Sequence, residues 1–301
     1  MVIMRRILTY QITTSENGIT IGDYLKKKGY SHPVLVQLKR TQEGIKRNGV
    51  WAYVTEKLAS GDTLTTILEE KEEKNTAIPV ELKFEIIYED EDIIVINKPA
   101  NMPVHPSMNH YENTLANALA WYNEKNSISY PFRCMNRLDR DTTGLTIISK
   151  NALSAAILSR QISTHQIHRS YYAICQGHVP DKGTINAPIA RKNGSTIERQ
   201  VNFTQGETAI THYTRVAYDP MKDLSLVLLS LETGRTHQIR VHMKHLGYPL
   251  IGDFLYNPDY NWIKRQALHA AFLEFLHPIS QKPMRLEAPM PEDLKSLFPS
   301  F

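Results

Sequence analysis

Cysteine is scarce in this chain: Cys134 and Cys175 are the only two among 301 residues. Two thiols cannot build the disulfide framework on which small secreted folds depend, and they suit a reducing cytoplasm. Long apolar runs are missing too. No stretch approaches the roughly 20 residues of a membrane-crossing helix. The first ten residues carry Arg5-Arg6 with no apolar signal segment after them, so a cytoplasmic protein with no membrane partner is expected. There is no glycine-rich phosphate loop, no internal repeat and no Gly-x-Ser-x-Gly hydrolase elbow. Of the histidines, His237, His242 and His245 lie close in sequence. Neither Cys-x-x-Cys nor His-Glu-x-x-His accompanies them, and no metal is expected.

What is present is ordinary globular material. Hydrophobic residues make up 42% and charged residues 22%, which excludes a disordered or fibrous chain. The length suits one catalytic domain with a smaller appendage. The net charge of +4 is small, but its distribution is uneven. Between Arg160 and Gln200 stand six Lys or Arg residues against Asp181 and Glu198. That stretch either faces phosphates or forms a solvated face.

Hydrophobic spacing divides the chain. From residue 13 to 67, Ile19, Ile21, Tyr24 and Leu25 lead into a helix and Val34 to Leu38 continue with helical spacing. Gly49 marks a turn before Val50 to Val54, and Gly61-Asp62 a second turn before Thr63 to Leu68. An uninterrupted polar run from Glu69 to Thr76 then reads as a linker. Beyond Ile78 the texture is strand-rich, with Phe84 to Tyr88, Ile93 to Ile96, Leu145 to Ile148, Tyr171 to Cys175 and Leu224 to Leu231. Helical periodicity covers Thr114 to Tyr122 and Ala152 to Ile162, with Asn113 and Asn151 as capping residues. Strand separations are too irregular for a βαβ repeat, so the class expected is α+β on a mixed, mainly antiparallel sheet. The expected division is a small unit at 1–68, a charged linker at 69–77 and a catalytic domain at 78–301.

The stretch richest in chemistry is Arg137-Leu138-Asp139-Arg140-Asp141-Thr142-Thr143-Gly144, a basic turn-rich loop before an apolar strand. Arg137 and Arg140 flank Asp139, and positive charge beside a carboxylate favours its ionised, nucleophilic form. A solvated turn would show the same residues. Gly234 to His242 follows a strand and places Arg235 and Arg240 where anionic partners are needed, since an unpaired buried charge is very costly. Arg240 either pairs with Asp139 or serves a structural salt bridge. Tyr171 and Tyr172 open a strand with their rings on opposite faces, one of them free to stack on a base or both hydrogen-bonded in a core. Asn97-Lys98-Pro99 ends an apolar strand and reads as a pocket rim or as a simple strand exit.

Taken in order and spacing, Asn97 to Ala100, Arg137 to Gly144, Tyr171 with Ala173 and Gly177, Gly234 to His242, and Gly252-Asp253 with Tyr256 closely resemble the RluA/RluD-type ribosomal large-subunit pseudouridine synthases. The resemblance covers about residues 80 to 295, and residues 13 to 68 resemble a divergent alpha-L RNA-binding module. It implies an isomerase that detaches uracil from ribose at nitrogen, turns it and rejoins it through carbon, without cofactor or metal. Asp139 would be the nucleophile, attacking either the ribose C1′ or the uracil ring, or acting through a glycal. Arg240 would orient it, Tyr171 would stack on the base and assist loss of the C5 proton, and Leu268 would form an apolar wall. Arg137, with Arg140 beside it, would engage RNA and fill the gap left by the flipped nucleotide. Asn136 departs from the family's usual His and Asn257 from its usual Gly, which bears on RNA engagement rather than chemistry.

The partner implied is RNA, ribosomal in preference to transfer RNA, and the enzyme is expected to be monomeric. A ribosome-assembly factor with a retired active site is the non-catalytic alternative. Nucleoside hydrolysis needs a second carboxylate as acid or base. Asp141, two residues from Asp139 in the same loop, is a poor candidate for that role.

Overall fold

The computed structural model describes residues 5–70, 77–106 and 111–299. The first unit contains β1 (Arg5–Gln11), α1 (Ile21–Lys27), α2 (His32–Arg40), β2 (Ile45–Arg47), β3 (Val50–Trp51) and β4 (Thr63–Glu69). Its sheet runs β1-β4-β2-β3, and the two helices cover one face. Thr20 caps α1 by accepting from the Asp23 backbone N–H. Strand β1 escapes the sequence pattern because its inward positions are Arg6, Leu8 and Tyr10, with Leu8 alone buried, while the apolar Ile7 faces out. Pairing is limited to Val50–Trp51 in the run expected through Val54.

The charged run does not begin as a free linker at residue 69. Glu69 ends β4, and Glu70 is buried, accepting from Arg133 at 2.7 Å and from the Ala152 backbone N–H at 2.6 Å. The rest of that expected linker, 71–76, lies outside the described residues.

The larger unit follows as β5 (Glu85–Glu89), β6 (Ile93–Lys98), α3 (Leu115–Lys125), β7 (Arg133–Cys134), β8 (Thr143–Ser149), α4 (Ala152–Ser163), β9 (His168–Gln176) and β10 (Lys182–Asn186). It continues through β11 (Ile189–Arg191), β12 (Arg199–Val201), β13 (Ile210–Asp219), β14 (Leu224–Leu231), α5 (Gln238–His245), β15 (Leu268–Leu276), β16 (Pro283–Glu287) and α6 (Glu292–Lys295). A ten-stranded sheet runs β10-β13-β14-β9-β15-β8-β6-β5, with β16 on β15 and β7 on β8. Its pairings are antiparallel except β15 with β8. The expected mixed, mainly antiparallel α+β architecture holds. Asn151 caps α4 as expected, whereas α3 is capped by Thr114 in a box with Asn117, and Asn113 takes a left-handed turn before it.

That one parallel pairing positions the chemistry. It sets His269 against Thr143 and Ala270 against Gly144, so the loop carrying Asp139 emerges beside the start of β15. On the other side of β15, Leu268 and Ala270 pair with Ala173 and Tyr171. Leu138, Tyr171 and Leu268 therefore share one buried cluster with Val227, Leu229 and Ile239.

Candidate active site

Of the site residues singled out from sequence, all but Arg140 meet in one depression, where Arg137, Asp139, Tyr171, Arg240 and Leu268 are joined by Leu138 and His237 among others. Asp139 is partly open, with 26% of its side chain exposed, whereas Arg240 behind it is 1% exposed. Arg240 Nη1 donates to Asp139 Oδ2 at 2.8 Å. The other carboxylate oxygen, Oδ1, faces His237 Nε2 at 3.9 Å, beyond hydrogen-bond reach.

Arg240 is fixed from behind by a residue the sequence reading did not assign a role. Its Nε and Nη2 donate to the two oxygens of Asp253 at 2.7 and 2.8 Å, a bidentate pair in a fully buried setting. Burial works against the Arg240 charge, but Asp253 and Asp139 together more than offset it and raise its pKa. Asp253 Oδ1 is itself held by the backbone N–H groups of Leu255 and Tyr256. The signal in the sequence was the Gly252-Asp253 pair near Tyr256, whose contact with Arg240 only the fold supplies.

The loop in front is held by Lys98, which is completely buried at the end of β6. Its ammonium donates to the carbonyls of Pro99, Met102 and Arg140 at 2.8, 2.9 and 2.9 Å. All three N–H groups are thus used, and the carbonyl next to Asp139 is tied to the turn after β6. Burial pulls the Lys98 pKa down to about 7, with Asp141 and Asp139 opposing. Its signal was a lone lysine closing the apolar run Ile93 to Ile96, a charge that must find partners inside. Lys98 is therefore a brace beneath the loop and not a pocket rim.

Several expectations are revised by this geometry. The flanking arginines do not pair with Asp139. Arg140 turns back on Asp141, donating at 2.8 Å, and Arg137 reaches Thr236 Oγ1 at 3.4 Å on the exposed side. Asp141 is buried and accepts from Arg140. Asn136 is a buried brace for β8, donating to the Leu145 carbonyl and accepting from the Ile147 N–H. The basic stretch splits. Arg160 lies with Lys27 and Lys28 in a cleft between the two units, while Arg191 and Arg199 pair across β11 and β12 beside Arg235. Tyr171 is buried and its hydroxyl pKa is raised by that burial, so the group is a neutral phenol at physiological pH.

The histidines His237 and His242 serve separate networks. His242 donates to the Ala187 carbonyl at 2.8 Å and meets Thr211 Oγ1 at 2.9 Å through its other nitrogen. Among the described residues, Asp90, Asp92 and His277 bring possible ligand atoms within 4.8 Å of one another. Asp92 is already held by Arg6 and Asn151, and Asp90 accepts two backbone N–H groups at Oδ1 and the Tyr88 hydroxyl at Oδ2.

An acid held by a buried arginine, an aromatic ring and an aliphatic wall can cradle a planar base with a carboxylate oxygen at its edge. Comparison with known proteins gives that arrangement a family. The model for RNA pseudouridylate synthases matches residues 92–245. An uncharacterized RNA pseudouridine synthase of Bacillus subtilis, YjbO, is 37% identical over 93% of this chain and 98% of its own. The ribosomal large subunit pseudouridine synthase D of Zymomonas mobilis is 41% identical over 73% of each chain. Among solved structures, human RNA pseudouridylate synthase domain containing 1 superposes with a TM-score of 0.59 at 26% identity, covering 71% of this chain and 86% of its own. On this sequence, fold and site, the chain belongs to the RNA pseudouridine synthases of the RluA/RluD type.

Proposed function

We propose that the enzyme converts uridine to pseudouridine in large-subunit ribosomal RNA, with Asp139 as nucleophile and the target nucleotide turned out of its stack. The observation that carries this is the unequal holding of the Asp139 carboxylate. Oδ2 is anchored by Arg240, itself locked by Asp253, while Oδ1 is left toward the pocket. In the overall change the bond from C1′ to N1 breaks and a bond from C1′ to C5 forms. The C5 proton leaves, N1 regains one, and no electrons are gained or lost. A nucleophile that attaches and departs is one route that carries such an exchange.

Tyr171 and Leu268, on neighbouring strands, form the walls between which the uracil would lie. Arg137 at the rim would enter the space the nucleotide vacates, which lowers the unstacking cost of a few kcal/mol. Arg140, nearly half exposed beside Asp141, would meet a phosphate. The ribosomal target is supported by the relatives named for the large subunit. The first unit would add RNA contact through Lys27 and Lys28 in the cleft with Arg160.

Tritium release from RNA carrying uracil labelled at C5 tests this reading. Release is expected from large-subunit ribosomal RNA and falls by orders of magnitude with Asp139→Asn. No release from any ribosomal or transfer RNA by folded protein, or an unimpaired Asp139→Asn variant, would refute it.

A further inference from the structure

His237 occupies a position that its residue type does not favour. It is the residue preceding α5, with φ 57° and ψ 20°, in the left-handed region that glycine enters without steric cost. Helix starts of this kind usually carry a side chain that accepts from the first turn, and His237 makes no such cap. Its imidazole is instead 13% exposed and lines the pocket, nearest Asp139 Oδ1, while Arg240 holds Oδ2.

Its tautomer is set by a neighbour. The Tyr256 hydroxyl accepts from the backbone N–H of Arg199 at 2.8 Å, and the same hydroxyl stands 3.0 Å from His237 Nδ1. One lone pair of the phenol oxygen is already taken by Arg199, which favours the arrangement in which the hydroxyl hydrogen goes to Nδ1 and the ring proton sits on Nε2. Burial lowers the His237 pKa, with Asp139 opposing, which agrees with a neutral ring. The Nε2–H therefore aims at the space beside Asp139 Oδ1, and the 3.9 Å separation leaves that donor unspent on the carboxylate.

We propose that His237 is a further catalytic residue, whose Nε2–H donates to an oxygen of the bound uridine beside the reacting carbon, in a tautomer fixed by Tyr256. The inference rests on the pseudouridine synthase reading with Asp139 as nucleophile. It assigns the strained turn before α5 a purpose, since a donor at this place requires a side chain that glycine lacks. It also links the pocket to the β11–β12 hairpin, because the N–H that orients Tyr256 belongs to the first residue of β12.

The test compares wild type with His237→Ala, His237→Gln and Tyr256→Phe, measuring single-turnover tritium release, RNA binding and melting temperature. A glutamine amide reaches about as far as Nε2 and keeps a donor there. The expected result is a fall in the rate at saturating RNA of about tenfold for His237→Ala, the worth of one hydrogen bond. RNA affinity should stay within about twofold, and His237→Gln should recover most of the rate. Tyr256→Phe should fall between, since Nδ1 then competes for the proton. An active wild type with His237→Ala equally fast overturns the proposal alone, as does a folded His237→Gln no faster than His237→Ala. If His237→Ala does not fold, the glutamine and phenylalanine variants decide: both at the wild-type melting temperature, with glutamine near wild type and phenylalanine slowed, supports it, and any other order overturns it. A wild type with no release from any RNA, alongside an equally silent Asp139→Asn, overturns the parent reading and this one with it.

Discussion

Arg240 keeps its charge at 1% exposure because two carboxylates face it, one wholly buried and one opening on the pocket. Breaking a buried pair from one side strands the other charge, at a cost of about 3 to 5 kcal/mol. Asp253→Ala is therefore expected to lose that much stability in urea unfolding and to misplace Asp139, so tritium release falls with it. A loss below about 1 kcal/mol would show that Arg240 finds other partners. Lys98 makes a second prediction, in pH. Unfolded, its amine holds a proton to about 10.5, whereas folded it does so only to about 7. Between those values the unfolded chain binds more protons, so this residue makes stability rise with pH there. Wild type should gain stability over Lys98→Met between pH 7 and 9 in paired urea titrations. An unchanging difference would mean the amine stays charged throughout. Sequence supplied the identity of Asp139, Tyr171 and Arg240, but not that Asp253 and Lys98 stand behind them, since a partner's identity depends on how distant strands are brought together.

At the scale of elements, Gly144 is where the parallel pairing and the loop meet. Its φ is 111°, and a Cβ there would lie 2.2 Å from the Ala270 carbonyl oxygen. Gly144→Ala must push β15 away from β8 and with it Leu268, so a loss of several kcal/mol is expected. Activity should fall further than in a surface variant of equal stability; equal loss in both would separate the pairing from the pocket. Asn151 caps α4 through Ser154 and also donates to Asp92. Asn151→Ala should cost about 1 kcal/mol by thermal melting, the usual worth of a cap, or more if the Asp92 contact matters independently. The cap of α4 was legible because Asn precedes a clean helical pattern. The cap of α3 and strand β1 were not, because Asn113 and Thr114 are equally suitable types and β1 buries only Leu8.

Across the whole molecule, the two units are joined by more than the segment between them. Leu153 of α4 is buried in the core of the first unit, with Ile157 packed against it. Arg6 makes a bidentate pair with Asp92, and Glu70 pairs with Arg133. Shared apolar burial and enclosed ion pairs favour unfolding as one cooperative body. Leu153→Ala is expected to cost about 2 to 5 kcal/mol and to shift a single calorimetric peak downward. Two peaks, with only one displaced, would show that the units melt separately.

The sequence by itself determined the chemical cast and the class of fold. Residue types at fixed short spacing, such as Arg137 to Gly144 and Gly234 to His242, survive as local motifs whatever lies around them. Tertiary structure alone decided who touches whom. Arg240 reaches Asp139 across 101 residues and Lys98 reaches the Arg140 carbonyl across 42, distances closed by sheet register. It also turned Arg137 and Arg140 away from the acid they flank, because a buried arginine backed by Asp253 pairs more strongly than two exposed side chains screened by water.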